Sequence, residues 1–262
     1  MLAMQDDARP HHGRVAVVTG AAQGIGRAVA RQLGRGGARL ALVDRGPVDE
    51  TATQIENERG LAAGFVCDIA VPDQVDRVRG EILEQFGRVD ILVNNAGIYP
   101  VAAWREVTYD LWRDVMAVNL DGAFLTCKAF GPLMEEARWG RIVNIATAGV
   151  GMGVSHFSHY IASKMGLIGL TRALASEYGP LGITVNAVAP GLVRTPTTTQ
   201  RQAAPGGMSA EEEFDLLMDM QSIKHHLGPQ DIAATVSFLA SPAAGCITGQ
   251  TIYVDGGIVR GG

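Results

Sequence analysis

Short apolar runs rich in β-branched residues recur along the chain, each followed by a longer stretch of helical periodicity. The runs VAVVT (15–19), RLALVD (39–44), AAGFVCD (62–68), VDILVN (89–94), GRIVNIA (140–146), GITVNAVA (182–189) and TIYVD (251–255) predict strands. Apolar residues fill successive positions rather than alternate ones, the pattern of strands buried on both faces. Between them, residues 24–35, 48–59, 71–86, 105–137, 158–178 and 229–240 predict amphipathic helices, with 105–137 read as two. This alternation predicts an α/β fold: a doubly wound parallel sheet of about seven strands with helices on both faces.

One segment departs from the rhythm. Residues 194–228 combine turn residues with a short helical pattern beginning near Ser209, where Ser209 and Glu212 have the form of a capping box. An insertion of this length after a strand is placed to act as a lid over a substrate. At the other end, residues 1–13 carry acidic groups and no apolar core. They are read as a loose tail rather than a secretory signal, with a single domain over 14–262.

Composition narrows the partners. The 262 residues are 47% hydrophobic and carry a net charge of −5, with no basic stretch suited to a nucleic-acid backbone and no apolar run long enough to cross a bilayer. Cys67, Cys127 and Cys246 lack disulfide or metal spacing and read as buried small hydrophobes in a reducing cytoplasm. The six histidines likewise make no metal site.

The first strand runs straight into Gly20-Ala21-Ala22-Gln23-Gly24-Ile25-Gly26, and a helix follows. Glycines here let backbone turn sharply and approach a pyrophosphate, which the helix N-terminus attracts with free N–H groups. Asp44 ends the second strand, eighteen residues after Gly26, where a carboxylate would accept hydrogen bonds from an adenosine ribose. That carboxylate repels a 2′-phosphate and argues for NAD, while the adjacent Arg45 is the competing signal for NADP. Asp68 closes the third strand, in reach of adenine or capping the next turn. Asn94-Asn95-Ala96-Gly97 closes the fourth with small residues that let backbone pass near the cofactor.

Beyond the fifth strand come Thr147, a glycine-rich loop, and Tyr160-Ile161-Ala162-Ser163-Lys164. Tyrosine and lysine at i and i+4 share a helix face. Lowering a phenol from a pKa of about 10 by three units takes about 4 kcal/mol. One ammonium at ~4 Å, at an effective dielectric near 20, supplies about that much. Tyr160 is therefore a candidate general base for alcohol oxidation and general acid for ketone reduction.

With both ends in view, the chain resembles the short-chain dehydrogenase/reductase family through TGAAQGIG, Asp68, NNAG, VNLDGAF, GRIVNIA, YIASK and PGLVRT, in that order. The resemblance implies a Rossmann-type single domain and a homotetramer. It implies Tyr160 as acid/base, Lys164 as the group that lowers its pKa and holds the ribose hydroxyls, and Asn119 as the holder of a relay water. It places Gly20, Gln23, Gly24, Ile25 and Gly26 at the pyrophosphate, Asp44 at the ribose, Asp68 and Ile69 at the adenine, and Asn95, Ala96 and Gly97 along the cofactor. Pro190 and Gly191 carry a loop from which Val193 and Thr195 meet the carboxamide. Thr147 stands where the family usually has serine; its hydroxyl offers the same hydrogen bonds, with an added methyl. Several runs, among them VDILVNNAGIYP and ITGQTIYVDGGIVR, are similar to NAD-dependent secondary-alcohol dehydrogenases of the 1-phenylethanol and pyridoxal 4-dehydrogenase kind. Tyr99, Trp104, Met152, His156, Phe157 and Leu217 are candidate linings for a ring-bearing alcohol or ketone, with Leu216 and Met220 joining from the lid. The alternatives are an NADPH-dependent ketone reductase, a polyol or sugar dehydrogenase, and a non-catalytic NAD-binding scaffold.

Overall fold

The seven β-branched runs form seven strands. They are β1 (Val15–Thr19), β2 (Arg39–Asp44), β3 (Leu61–Val66), β4 (Ile91–Asn94), β5 (Gly140–Ile145), β6 (Ile183–Pro190) and β7 (Thr251–Val254). A computed structural model describes residues 9–200 and 208–260. All pairings are parallel and the order is β3-β2-β1-β4-β5-β6-β7. Because side chains alternate across a strand, Ala16 and Val18 of β1 pack into one apolar layer while Val17 packs into the other. The first layer lies under helices α1 (Gly24–Arg35) and α10 (Pro229–Leu239), through Leu33, Ile232 and Val236. The second holds Ile82, Phe130 and Met134. The edge strand β3 departs from two-sided burial: Leu61 and Val66 are 64% and 61% exposed, since β3 has a neighbour on one side only.

Helices α2 (Asp49–Asn57) and α3 (Pro72–Phe86) fall where periodicity predicts them, and α7 spans Ser158–Tyr178. The 105–137 segment forms two α-helices, as expected, but without a break between them. Thr108 caps its start by accepting from Leu111 N, and one helical run continues through α4 (Tyr109–Met116), a π turn (Ala117–Asp121) and α5 (Gly122–Ala137). The junction residues keep right-handed helical angles, so the axis is widened rather than broken. Segment 194–228 contains α8 (Pro196–Thr199) and α9 (Ala210–Met220), and α9 opens with the predicted Ser209–Glu212 box. Its residues 201–207 lie outside the described residues.

Residues 9–13, expected in the loose tail, are docked. The His11 backbone N–H donates to Gly36 O, and its fully buried ring meets Ser237 Oγ at 2.8 Å, bridging α1 and α10. The sequence HHG carries no periodicity that would reveal this. Burial holds the His11 imidazole down at about 4, against 6.5 for a free histidine. The unfolded chain therefore binds the extra proton between those values, and stability falls as pH drops from about 6.5 to 4, by up to about 3 kcal/mol. We expect thermal unfolding of His11→Gln to lose the part of the acid dependence that wild type shows in this window; identical pH slopes would refute the linkage.

Cys67 and Cys127 are buried as expected, and burial pushes their thiols up to about 11 and about 12. Cys246 is exposed instead, in the turn that follows a short helical segment at Pro242–Ala244. Among the described residues no group of His, Cys, Asp and Glu gathers as a metal site, and no helix is long and apolar enough to cross a membrane.

Candidate active site

An open cavity of about 1010 Å³ lies over the carboxyl ends of the strands, across the reversal of strand order between β1 and β4. Its floor begins at the glycine turn. Gly20 has φ +66, and a Cβ there would come within 2.8 Å of Ala96 Cα. A Cβ on Gly26 would lie 2.0 Å from Gly20 O, so Gly26 lets the helix sit tight behind the turn and does not itself line the cavity. Thr19, which sequence reasoning passed over as the end of a strand, locks the two halves. Its Oγ1 accepts from Asn95 N (3.0 Å) and Ala96 N (3.1 Å), while Asn95 Nδ2 donates to Thr19 O and Gly20 O.

Helix α1 begins at the cavity with no side-chain cap from Gln23, whose amide instead donates to Thr197 Oγ1 of α8. Its first-turn N–H groups are thus left for an anion. Asp44 lines the cavity and is held in place by Ala22 N (3.0 Å) and Gly46 N (3.1 Å). Asp68 lines it too, and also takes its second sequence role by accepting from Ala70 N. Gly24, Ile25, Ile69, Ala96, Gly97, Pro190, Gly191, Val193 and Thr195 complete this end. The glycine cradle, the uncapped helix start and the two carboxylates at the ends of β2 and β3 fit an adenine dinucleotide.

At the other end the Tyr160 hydroxyl lies beside the Thr147 side chain, whose Oγ1 accepts from Gly149 N at 3.2 Å. Tyr99 and Phe157 meet the Tyr160 ring edge-on, with centroids 5.9 and 6.1 Å away. Lys164 Nζ donates to Ile145 O at 2.7 Å and lies 5.9 Å from the Tyr160 ring centre. Burial outweighs the nearby Thr147 hydroxyl, and the phenol is pushed up to about 12. Burial also brings Lys164 down to about 8, which leaves it largely protonated at pH 7.

Asn119 sits in the π turn, buried behind the cavity wall. Its Oδ1 accepts from Ile98 N, and its Nδ2 donates to Ile98 O and to Ser163 Oγ. It clamps the loop that follows NNAG to α7, and a Cβ on Gly97 would lie 3.2 Å from Asn119 Oδ1 and 3.4 Å from Lys164 Nζ. Of the expected substrate lining, Tyr99, Met152, Phe157, Leu216 and Leu217 face the cavity. Trp104, His156 and Met220 do not. Trp104 is 73% exposed on a short helical turn (Trp104–Glu106), and His156 is in a left-handed bend whose carbonyl accepts from Ala102 N. Sequence reasoning missed Val154, Glu213 and Ile258 on the wall. Only the spacing of Glu213 from Leu216 and Leu217, one face of α9, could have pointed to one of them.

A family model described as enoyl-(acyl carrier protein) reductase, of the short-chain dehydrogenase/reductase type, matches residues 20–259. The chain belongs to the short-chain dehydrogenase/reductase family. This reductase family makes it an NAD(P)-dependent oxidoreductase of alcohol or ketone substrates. The D-threitol dehydrogenase of Mycolicibacterium smegmatis is 38% identical over 247 residues, 94% of this chain and 92% of that one. The D-beta-hydroxybutyrate dehydrogenase of Rhizobium meliloti is 36% identical over 253 residues, 93% and 98% of the two chains. A crystal structure from Beutenbergia cavernae, provisionally described as an NAD(P)-dependent gluconate 5-dehydrogenase with NADP at low occupancy, superposes with a TM-score of 0.87 at 40% identity. It covers 94% of this chain and 97% of that one.

Proposed function

We propose that this short-chain dehydrogenase/reductase interconverts a ring-bearing secondary alcohol and its ketone with NAD(H), using Tyr160 as acid/base. The observation that carries the reading is Tyr160 beside Thr147 in an open cavity whose adjoining wall is aromatic and apolar. Such a wall favours a ring over a string of hydroxyls, since each unpaired hydroxyl buried there loses its water. When bound, the nicotinamide supplies or accepts the hydride. Thr147 and Tyr160 hold the substrate oxygen, and Tyr160 moves the proton at that oxygen. Lys164 holds the ribose hydroxyls and favours the phenolate by its charge, while Asn119 keeps the passage beside Gly97 aligned for a relay water. The apolar Tyr109, Phe124 and Met165, exposed on the outer faces of α4, α5 and α7, support a homotetramer.

Asp44 supports NAD over NADP, because its carboxylate is fixed at the cavity by two backbone N–H groups and would oppose a 2′-phosphate. Arg45, exposed on the cavity rim, favours the NADP reading. Initial rates with either cofactor and a panel of aryl and polyol alcohols test the proposal. Wild type is expected to prefer NAD, and Asp44→Ser to lose at least about tenfold in kcat/KM for NAD while gaining with NADP, an effect of about 1.4 kcal/mol or more. A wild-type preference for NADP would overturn the cofactor assignment, and turnover of polyols alone would overturn the substrate class.

A further inference from the structure

We infer that the C-terminal hook, Asp255–Arg260, builds one wall of the substrate pocket and that Ile258 sets how large a substituent the carbinol carries. The inference rests on the alcohol/ketone reading of the same cavity. Beyond β7 the chain makes two left-handed glycine steps, Gly256 (φ +68) and Gly257 (φ +85), which turn it back toward the site. The buried Asp255 carboxylate accepts from Gly257 N (2.9 Å) and Val259 N (2.8 Å), fixing the bend from inside. This geometry places Ile258 on the cavity surface.

Three neighbours hold the hook rigid, and each belongs to the site. The foot of the lid is bonded to it: Ser222 N and Ile223 N both donate to Gly256 O, and Arg260 Nη2 donates to Ser222 Oγ at 2.7 Å. Gly191 N donates to Val254 O at the hook's root. Val259 fills the space over Gly151 in α6 (Gly149–Met152), where a Cβ would come within 2.7 Å of Val259 Cγ1. Gly151 lies four residues past Thr147, so Ile258 is fixed relative to the reacting hydroxyls as well as to the lid. A wall tied on three sides cannot swing aside for a large group, so its side-chain volume acts as a size filter.

The test pairs opposite changes of volume and reads binding as well as turnover. Wild type, Ile258→Ala and Ile258→Phe, each saturated with NAD so that no hydride can pass to the ketone, are titrated calorimetrically with acetophenone and with 2-acetylnaphthalene. The corresponding alcohols are assayed for NAD reduction in parallel, and NADH affinity is measured as a control on the cofactor end. We expect Ile258→Ala to shift the Kd ratio at least fivefold toward the larger ketone, Ile258→Phe to shift it at least fivefold toward the smaller, and NADH affinity to stay within twofold. Ratios within twofold of wild type in both variants would overturn the role of Ile258 while leaving the dehydrogenase reading intact. Size-dependent binding without turnover of any alcohol would do the reverse. Failure of wild type to bind either ketone would overturn both.

Discussion

Replacing Tyr160 with phenylalanine is expected to lower kcat for alcohol oxidation by about 10³-fold, within the range for loss of a positioned acid/base, while NAD(H) affinity changes less than about twofold. The ring stays, so the edge contacts with Tyr99 and Phe157 stay, and only the hydroxyl beside Thr147 goes. Rates followed at the reduced-nicotinamide absorbance, beside a fluorescence titration of NADH, measure both quantities. A variant within tenfold of wild type would remove Tyr160 from the chemistry.

The pH dependence of the same reaction carries more information. The protein's own groups hold the phenol up at about 12. Acting as a base near neutral pH requires a fall of about five units, or about 7 kcal/mol. Lys164 is already among those groups, so a positively charged nicotinamide must supply this fall. A lowered phenol pKa puts the base form in place above that pKa, so kcat/KM for oxidation should rise with pH toward a plateau and lose this dependence in Tyr160→Phe. Phenolate absorbance should titrate near 12 in the protein alone and several units lower with saturating NAD. An unchanged titration would break the division of labour.

The second large effect is one of stability, at the opposite end of the sheet. Asp90 is fully buried where β4 begins. Its carboxylate accepts from Val15 N (2.9 Å), from Arg14 (3.1 Å) and from Arg88, while the guanidiniums of Arg14 and Arg141 each lie over the Trp139 ring. Asp90→Ala leaves two cations facing a void and a buried N–H with no acceptor. Removing one partner of a buried pair costs about 3–5 kcal/mol; Arg14 and Arg88 are partly solvated, so about 2–3 kcal/mol is expected. For a domain of this size that lowers Tm by roughly 5–10 °C. Because Asp90 lies a strand's length from the cofactor end, kcat below the transition should stay within about twofold. A Tm within 2 °C of wild type would contradict this account.

The architecture was legible because it follows from period alone. β-branched runs without alternation announce strands covered on both faces, and α1 and α7 start and stop where glycine turns and amphipathic stripes say they should. The turn glycines, Asp44, Tyr160 and Lys164 were legible for a similar reason: their spacing from strand ends places them at one edge of the sheet. The rest depended on contacts between distant parts of the chain. Nothing near Trp104 or His156 distinguishes a cavity wall from an outer turn, and nothing near Ile258 says that two left-handed glycines bring it back to the site. The Tyr160–Lys164 spacing revealed the shared face but not that the ammonium would turn toward Ile145 O. His11 was misread because one buried imidazole leaves no pattern.

The π turn at Ala117–Asp121 has a bearing on how such a site arises. Geometrically it is an α-helix carrying one surplus residue, absorbed as a local widening so that the helix on either side keeps its facing. A single-codon insertion into an ordinary helix could therefore deliver Asn119 to the Ile98 backbone in one step, leaving Val115 on one flank and Phe130 on the other still packed inward. Loss of that one codon would return a regular and soundly packed helix without the clamp. Genetically, this part of the site sits one in-frame deletion from being erased, with little change in the fold around it.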